Sequence, residues 1–162
     1  MFQALGVDLT KIEGIEVGTA LVILSEIGAD VSRFPTEKHF ASWLRLCPPH
    51  DESNKTKRRR GHRKGASRVT IALRLAARAA GKTITPLGQF YRRIRSRLGG
   101  LGAVKATAHK LACLVYRMLK YGQDYVVQSM EEYEAKIKAK MLDTLKRKAA
   151  AMGFELSPLA AR

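Results

Sequence analysis

The chain has 162 residues, enough for one ordinary domain, and 46% of them are hydrophobic, which allows a buried core. Its 30 Lys and Arg outnumber its 14 Asp and Glu, and the resulting formal charge of +16 favours a polyanionic partner. No apolar run reaches the ~18 residues of a membrane span and no signal peptide begins the chain, so we expect no membrane association. Cys47 and Cys113 are far apart in the sequence, as in proteins of a reducing compartment.

Apolar residues recur at helical spacing along almost the whole chain, and extended β-branched runs are missing. The sequence therefore predicts an all-α fold. A short first helix, around residues 8–13, is expected to end at Gly14. A second helix is expected from about Glu16 to Ile27, with Gly28 as its stop.

Gly14 and Gly18 flank the turn between these two predicted helices. In a helix-hairpin-helix, such a glycine turn and the start of the following helix present backbone N–H groups to a DNA phosphate. Both glycines are therefore candidate nucleic-acid-binding residues. The alternative is an ordinary αα-hairpin whose glycines serve close packing.

The third predicted helix spans residues 36–46 and completes the helix-hairpin-helix-like segment, residues 1–46. Phe40, Trp43 and Leu44 lie at positions i, i+3 and i+4 of this helix, so the pattern predicts that they form one buried stripe.

Residues 47–65 form a basic loop with almost no apolar content, so it cannot pack on its own. Lysine and arginine side chains neutralise phosphates and release counterions, which makes this loop a candidate nucleic-acid surface. Its candidate phosphate-binding residues are Lys55, Lys57, Arg58, Arg59, Arg60, Arg63 and Lys64.

Ser53 lies just before this run of cations. A serine hydroxyl needs a base or a metal to take its proton, and it needs positive charge to stabilise the developing phosphorane oxygens. On spacing alone Ser53 is either a polar loop residue or such a nucleophile. Cys47 and His50 have a metal-like spacing, but no second ligand pair follows them, so we predict no metal site in this chain.

A helical bundle is predicted over residues 66–128, followed by a C-terminal helix and tail over residues 129–162 that begins at Ser129. The bundle contains one helix over 66–80, another over 85–100, and a third that ends at Gly122. Three of its arginines complete the list of candidate nucleic-acid-binding residues: Arg68, Arg92 and Arg93.

The order and spacing of these segments resemble the C-terminal half of the insertion-sequence transposases of the IS one-ten family. Members of that family are guided by a structured noncoding bridge RNA. The resemblance runs from Leu9 to Phe154. Six segments carry it: LTKIEGIEVGTALVILSEIG, RFPTEKHFASWLRLCP, ESNKTKRRRGHRKG, ALRLAARAA, FYRRIRSR and AHKLACLVYRMLKYG.

This resemblance implies DNA transposition by a serine nucleophile. The family's serine follows a Leu-x-Pro element and precedes a basic run that contains glycine, as Ser53 does here. The resemblance therefore implies that Ser53 attacks a DNA phosphodiester and that four cations hold the phosphate: Arg58, Arg60, Arg63 and Lys64. One departure follows the serine, because Asn54 and Lys55 stand where family members have small residues.

The resemblance also implies partners. Family members carry an N-terminal RuvC-like domain with four metal-binding acids, and no such acidic set is found in these residues. We therefore expect a truncated transposase or one half of a split gene, inactive alone, with Mg²⁺ held by the missing domain and no cofactor in this chain. The expected partners are DNA, a structured noncoding RNA, a RuvC-like domain in cis or in trans, and further copies of the chain in a homo-oligomer. The expected location is cytoplasmic and nucleoid-associated, in a bacterium or archaeon. The alternative function is that of a non-enzymatic helical nucleic-acid-binding protein.

Overall fold

The computed structural model describes residues 6–47 and 67–157, with only the backbone described at 123–134 and at 137. A short 3-10 helix, Leu9–Lys11, precedes five α-helices: α1 (Val17–Ile27), α2 (Glu37–Trp43), α3 (Arg68–Ala80), α4 (Pro86–Tyr121) and α5 (Gln123–Ala151). The described residues contain no strand, which confirms the all-α prediction. A bilayer span needs about 18 apolar residues in one helix, and no helix in the described parts of the chain offers one.

Capping residues explain where several of the helices begin and end. The hydroxyls of Thr36, Ser67 and Thr85 accept hydrogen bonds from backbone N–H groups in the first turns of α2, α3 and α4. Gly28 and Gly122 end α1 and α4 with φ values of 77° and 89°, which favour glycine. The predicted stops at both glycines are therefore confirmed.

Two compact units divide the chain, Met1–Val126 and Val127–Arg162. In the first unit α4 packs against α3 and α2, and α3 also packs against α1. Leu73, Leu111 and Val115 are fully buried in this core. The Tyr116 hydroxyl donates a hydrogen bond to the Phe34 carbonyl oxygen at 2.8 Å, which satisfies a buried polar group on each side.

Helix α4 is broken at Gly99, where φ is 74° and ψ is 178°. The segments 86–98 and 100–121 are therefore two helical stretches that meet at a kink. The sequence predicted two helices with a break near Gly100, and the structure confirms that break. A glycine is required at position 99, because other residues almost never adopt this backbone conformation.

The second unit contains most of α5. Its described side chains include exposed apolar groups at Met141, Leu142 and Leu145. Arg147 donates a hydrogen bond to the Asp143 carboxylate at 2.7 Å, an i,i+4 ion pair on the helix surface.

One local prediction is not confirmed, and two need correction. The helix-hairpin-helix is not confirmed, since the element before Gly14 is a single 3-10 turn rather than an α-helix. Trp43 is 47% exposed and lies beside Arg33, whose guanidinium is 5.0 Å from its ring centre, whereas Phe40 and Leu44 are buried as predicted. Ser129 does not begin the last helix, because α5 starts at Gln123, directly after the Gly122 stop.

Candidate nucleic-acid interface

Close packing explains one of the two glycines at the turn before α1, Gly14, but not the other, Gly18. Gly14 has a φ of +82°, and a Cβ there would lie 3.3 Å from both the Ala76 carbonyl oxygen and the Ala80 Cβ, so glycine allows this turn to approach α3. Gly18 lies in the exposed first turn of α1, where a Cβ would meet nothing within 4 Å. The N-cap residue Glu16 is exposed and makes no side-chain cap hydrogen bond, and its charge opposes an anion at this helix end. Phosphate binding at this turn stays a prediction.

Arg68 begins helix α3 and is paired with an acid from α1. Its Nε donates to the Glu26 carboxylate at 2.9 Å, while its own side chain is 82% exposed. The backbone N–H of Val69 points to the same carboxylate at 3.5 Å. A guanidinium carries five N–H donors, so an arginine that is this exposed can bind a phosphate while it keeps its carboxylate partner.

Arg92 and Arg93 are neighbours in α4 with different surroundings. Nη1 of Arg92 donates to the Gly81 carbonyl oxygen at 3.2 Å and to the Thr83 carbonyl oxygen at 2.6 Å. The Arg93 guanidinium instead lies 5.7 Å from the ring centre of Phe90. Arg92 therefore has a structural role in the α3–α4 connection that the sequence did not predict, and Arg93 is the better placed of the two to meet a phosphate.

The kink at Gly99 folds the two stretches of α4 toward each other. The Lys110 ammonium lies 4.9 Å from the ring centre of Phe90. In a straight helix their separation of twenty positions would span about 30 Å. The kink therefore brings an aromatic residue of the first stretch against a cation of the second.

A pocket of about 630 Å³ opens where the two stretches of α4 meet Glu37, at the start of α2, and Leu46, which follows α2. We call it the hinge pocket. Its apolar lining comes from Leu46, Phe90, Leu98, Ala106 and Leu114, and its polar lining from Glu37, Lys105, His109, Lys110 and Arg117.

The hinge pocket carries a net positive charge. The Glu37 carboxylate accepts hydrogen bonds from both Nε and Nη2 of Arg117, the latter at 2.9 Å. Three cations line the pocket, Lys105, Lys110 and Arg117, against one acid, Glu37. This site was not predicted from the sequence. Its signal was the run LGGLG at 98–102, which breaks a helix between two sets of cations.

Cys113 lines the hinge pocket, with its Sγ 3.9 Å from Nδ1 of His109. Burial, with a further contribution from the Glu37 carboxylate, raises the pKa of Cys113 to about 11 from an ordinary 9.0. Burial also raises the pKa of the Cys47 thiol. Both thiols are therefore protonated near neutral pH, where they are poor nucleophiles.

The proposed nucleophile and most of the predicted phosphate-binding residues lie outside the described residues. They are Ser53, Lys55, Lys57, Arg58, Arg59, Arg60, Arg63 and Lys64. Within the described ranges, no three His, Cys, Asp or Glu side chains come together as metal ligands.

An all-helical domain with a cationic surface is typical of proteins that bind nucleic acid. The sequence model of the Transposase IS116/IS110/IS902 family matches residues 8–92, just over half of the 162 residues. The chain belongs to this transposase family, which assigns it to DNA transposition and recombination. Searches of curated proteins and of solved structures found no match to the chain.

Proposed function

We propose that this chain is the DNA-binding helical part of a transposase and that Ser53 is its nucleophile in strand exchange. One observation carries the proposal. The family match over residues 8–92 spans the whole basic loop, in which Glu52 and Ser53 directly precede the run of lysines and arginines. A transposase must cut and rejoin phosphodiesters, and this segment combines a hydroxyl with concentrated positive charge.

The proposed chemistry is a transesterification. Oγ of Ser53 attacks a DNA phosphorus, the bond from phosphorus to one strand oxygen breaks, and that oxygen leaves as a hydroxyl after taking up a proton. The serine is then joined to the DNA end as a phosphodiester. Attack by the hydroxyl of another strand reverses the step and joins the new strand. Cations stabilise the extra negative charge of the phosphorane, and the proposed groups are Arg58, Arg60, Arg63 and Lys64.

Two described arginines outside the basic loop support DNA binding. Arg68 lies three residues after the basic loop and is strongly exposed, and Arg93 is also exposed. Contacts to phosphate of this kind give affinity that does not depend on base sequence and that falls steeply with salt. The proposed DNA-binding residues therefore include Arg68 and Arg93 as well as the cations of the basic loop.

Further components belong to the proposal. A RuvC-like domain, in the same polypeptide or in a separate one, would hold Mg²⁺ through its acids, and a structured RNA would select the target. The metal is proposed for that domain, and no step proposed for this chain runs through a metal.

The nucleophile is tested with a DNA substrate that traps a covalent protein–DNA link, in the presence of the RuvC-like domain and the RNA. Ser53→Ala should abolish the link, seen as a shifted band on a denaturing gel, and should leave DNA affinity within about twofold, because a hydroxyl adds little to a phosphate contact dominated by charge. Thr56→Ala, a hydroxyl loss three residues away, is the matched control and should keep the link. A link that persists in Ser53→Ala would refute the nucleophile. If the parent chain binds DNA but never forms the covalent link, the result would favour the alternative function, that of a non-enzymatic nucleic-acid-binding protein.

Charge reversal tests the phosphate-binding role of the basic loop. Replacing Arg58, Arg59 and Arg60 with Glu should weaken binding to every DNA sequence and lower the slope of log affinity against log salt by about 3, one for each lost contact. The matched control replaces three exposed lysines of α5 with Glu: Lys136, Lys138 and Lys140. Equal slopes for the two triple variants would show that net charge alone, and not the loop, sets the affinity.

A further inference from the structure

We propose that helix α3 enters the major groove of duplex DNA with its exposed face against the base edges. Ile71 and Leu75 contact thymine methyl groups there, and the phosphates beside the groove are bound by Arg68, Arg74 and Arg78. This inference rests on the proposed function and deepens it, because it names the element that meets the duplex and the groove that it reads. Of these five residues, only Arg68 is a candidate from the sequence.

Helix α3 has one packed face and one exposed apolar pair. Val69, Leu73 and Ala77 are fully buried where the helix packs against α1 and α4. On the other side, Ile71 is 49% exposed and Leu75 is 61% exposed. The two residues are four positions apart, so they are neighbours on the helix surface. This apolar pair is therefore open to a partner while the opposite face holds the helix in the core.

Three arginines lie around the apolar pair. Successive residues of an α-helix are about 100° apart, so positions 68, 71, 74, 75 and 78 fall within an arc of about 120°. Arg68 lies on one side of the pair in this arc, and Arg74 and Arg78 lie on the other side. Arg68 and Arg78 are exposed and Arg74 is half-buried. The exposed face of α3 therefore has an apolar centre with cations on both sides.

The charge of this face favours a polyanion. Helix α3 contains no Asp or Glu. An acid of α1, Glu26, reaches its first turn, but the Glu26 side chain is only 19% exposed and already accepts a hydrogen bond from Nε of Arg68 at 2.9 Å. A protein partner suits the face less well, because a specific protein interface takes about 20–30 residues on each side and the apolar part here is two side chains.

The dimensions of α3 suit the major groove of B-form DNA. That groove is about 12 Å wide and admits an α-helix, whose diameter with side chains is about 10–12 Å. The ten steps from Arg68 to Arg78 span about 15 Å, the length of about four base pairs. Thymine presents its methyl group in this groove, where apolar side chains contact it. The major groove of an RNA duplex is too deep and narrow to be read in this way, so the expected ligand is DNA.

The first test uses the unmodified chain. Duplexes that bind are selected from a library of random DNA, and the selected duplex is compared with a scrambled one. Bound chain should block the methylation of guanine N7, a major-groove atom, by dimethyl sulfate within the selected site. Replacing the thymines of the site with uracil removes only their methyl groups, and it should weaken binding about fourfold for each methyl group in contact. The inference is overturned by a library that yields no preferred sequence, or by a site whose guanine N7 atoms stay reactive and whose thymines can be replaced without loss.

The second test truncates the apolar pair. Ile71→Ala combined with Leu75→Ala keeps residues that favour a helix. It should abolish the preference for thymine over uracil and leave affinity for the scrambled duplex within about twofold, because that affinity comes from phosphate contacts. The matched control, Met141→Ala combined with Leu145→Ala, removes two exposed apolar side chains at the same spacing in α5 and should keep the preference. Thermal unfolding checks each fold, and a thymine preference that persists without Ile71 and Leu75 contradicts the proposal.

Substitution of the arginines should give the complementary result. Arg74→Ala combined with Arg78→Ala should weaken the selected and the scrambled duplex equally and lower the slope of log affinity against log salt by about 2, one for each lost phosphate contact. The preference for thymine should remain. The matched control replaces two exposed lysines of α5, Lys138 and Lys140, with Ala. Equal slopes for the two double variants would remove Arg74 and Arg78 from the phosphate contacts.

The outcomes distinguish this inference from the proposed function. A chain that binds no DNA refutes both. A chain that forms the covalent link through Ser53 without major-groove protection refutes only this inference. RNA duplex binding that depends on Ile71 and Leu75 refutes the assignment to DNA. If truncation of this pair instead dissociates the chain into monomers in sedimentation while the DNA footprint persists, the face is a contact between copies of the chain and the inference is wrong.

Discussion

The Lys110 ammonium lies 4.9 Å from the ring centre of Phe90, across a kink that a single glycine makes possible. Gly99 has a φ of 74° and a ψ of 178°, a conformation that is essentially restricted to glycine. Gly99→Ala should therefore lower the free energy of unfolding by about 1–3 kcal/mol. Urea unfolding followed by circular dichroism measures this change.

Gly100→Ala is the matched control for that kink. Gly100 has helical backbone angles, and a Cβ there would meet nothing within 4 Å. Alanine should raise the free energy of unfolding by about 0.5–1 kcal/mol, because glycine is a poor residue inside a helix. If both substitutions shift stability in the same direction, the kink at Gly99 is not present in solution.

Alanine substitutions of the neighbouring residues Arg92 and Arg93 should have different effects, one on the free energy of unfolding and the other on DNA affinity. Arg92→Ala removes the donor to the Gly81 and Thr83 carbonyl oxygens, so it should lower the free energy of unfolding by about 0.5–1.5 kcal/mol. Arg93→Ala should leave stability nearly unchanged, and it should weaken DNA binding and lower the salt slope by about 1. Thermal unfolding and DNA titrations at several salt concentrations measure the two effects. The assignment fails if Arg92→Ala changes only affinity and Arg93→Ala changes only stability.

Local signals in the sequence predicted where the described helices stop, because those stops depend on residues close in the chain. Gly28 and Gly122 adopt positive φ values at helix ends, and the break near Gly99 and Gly100 follows from the glycines themselves. The direction in which the chain folds at that break depends on long-range packing. The approach of Phe90 to a residue twenty positions later could therefore not be predicted from local sequence.

Side-chain partners were harder to predict than helices. The i, i+3, i+4 pattern identified the inward face of α2, yet Trp43 lies at its end and stays half exposed beside Arg33, whose guanidinium is 5.0 Å from its ring centre. In the sequence Arg92 and Arg93 look alike, as adjacent arginines of one basic cluster. The carbonyl oxygens that Arg92 binds belong to Gly81 and Thr83, so its structural role is not visible in its own sequence neighbourhood. The family resemblance, which was based on the order and spacing of six sequence segments, is confirmed over residues 8–92. The roles assigned to single residues remain predictions.

The thiol of Cys113 should ionise late in the folded chain. Burial, aided by Glu37, raises its pKa from 9.0 to about 11. In a Cys47→Ser variant, the rate of Cys113 alkylation by iodoacetamide should rise with a midpoint near 11 in the folded chain and near 9.0 in urea. The stability linked to this group is fully present below pH 9.0 and is lost as pH rises toward 11. A folded-state midpoint near 9.0 would show that the thiol is not buried.

The two glycines before and within α1 should respond oppositely to alanine. Gly14→Ala should lower the free energy of unfolding by about 1–2 kcal/mol, because an L-residue is disfavoured at a φ of +82° and its Cβ would crowd Ala76 and Ala80. Gly18→Ala lies in open space within a helix and should leave stability unchanged or raise it by up to about 1 kcal/mol. If the start of α1 approaches a DNA phosphate closely, Gly18→Ala should still weaken DNA binding, since the new methyl group stands beside the exposed N–H groups. DNA affinity that is unaffected by Gly18→Ala would remove this helix end from the interface and leave α1 a purely structural role.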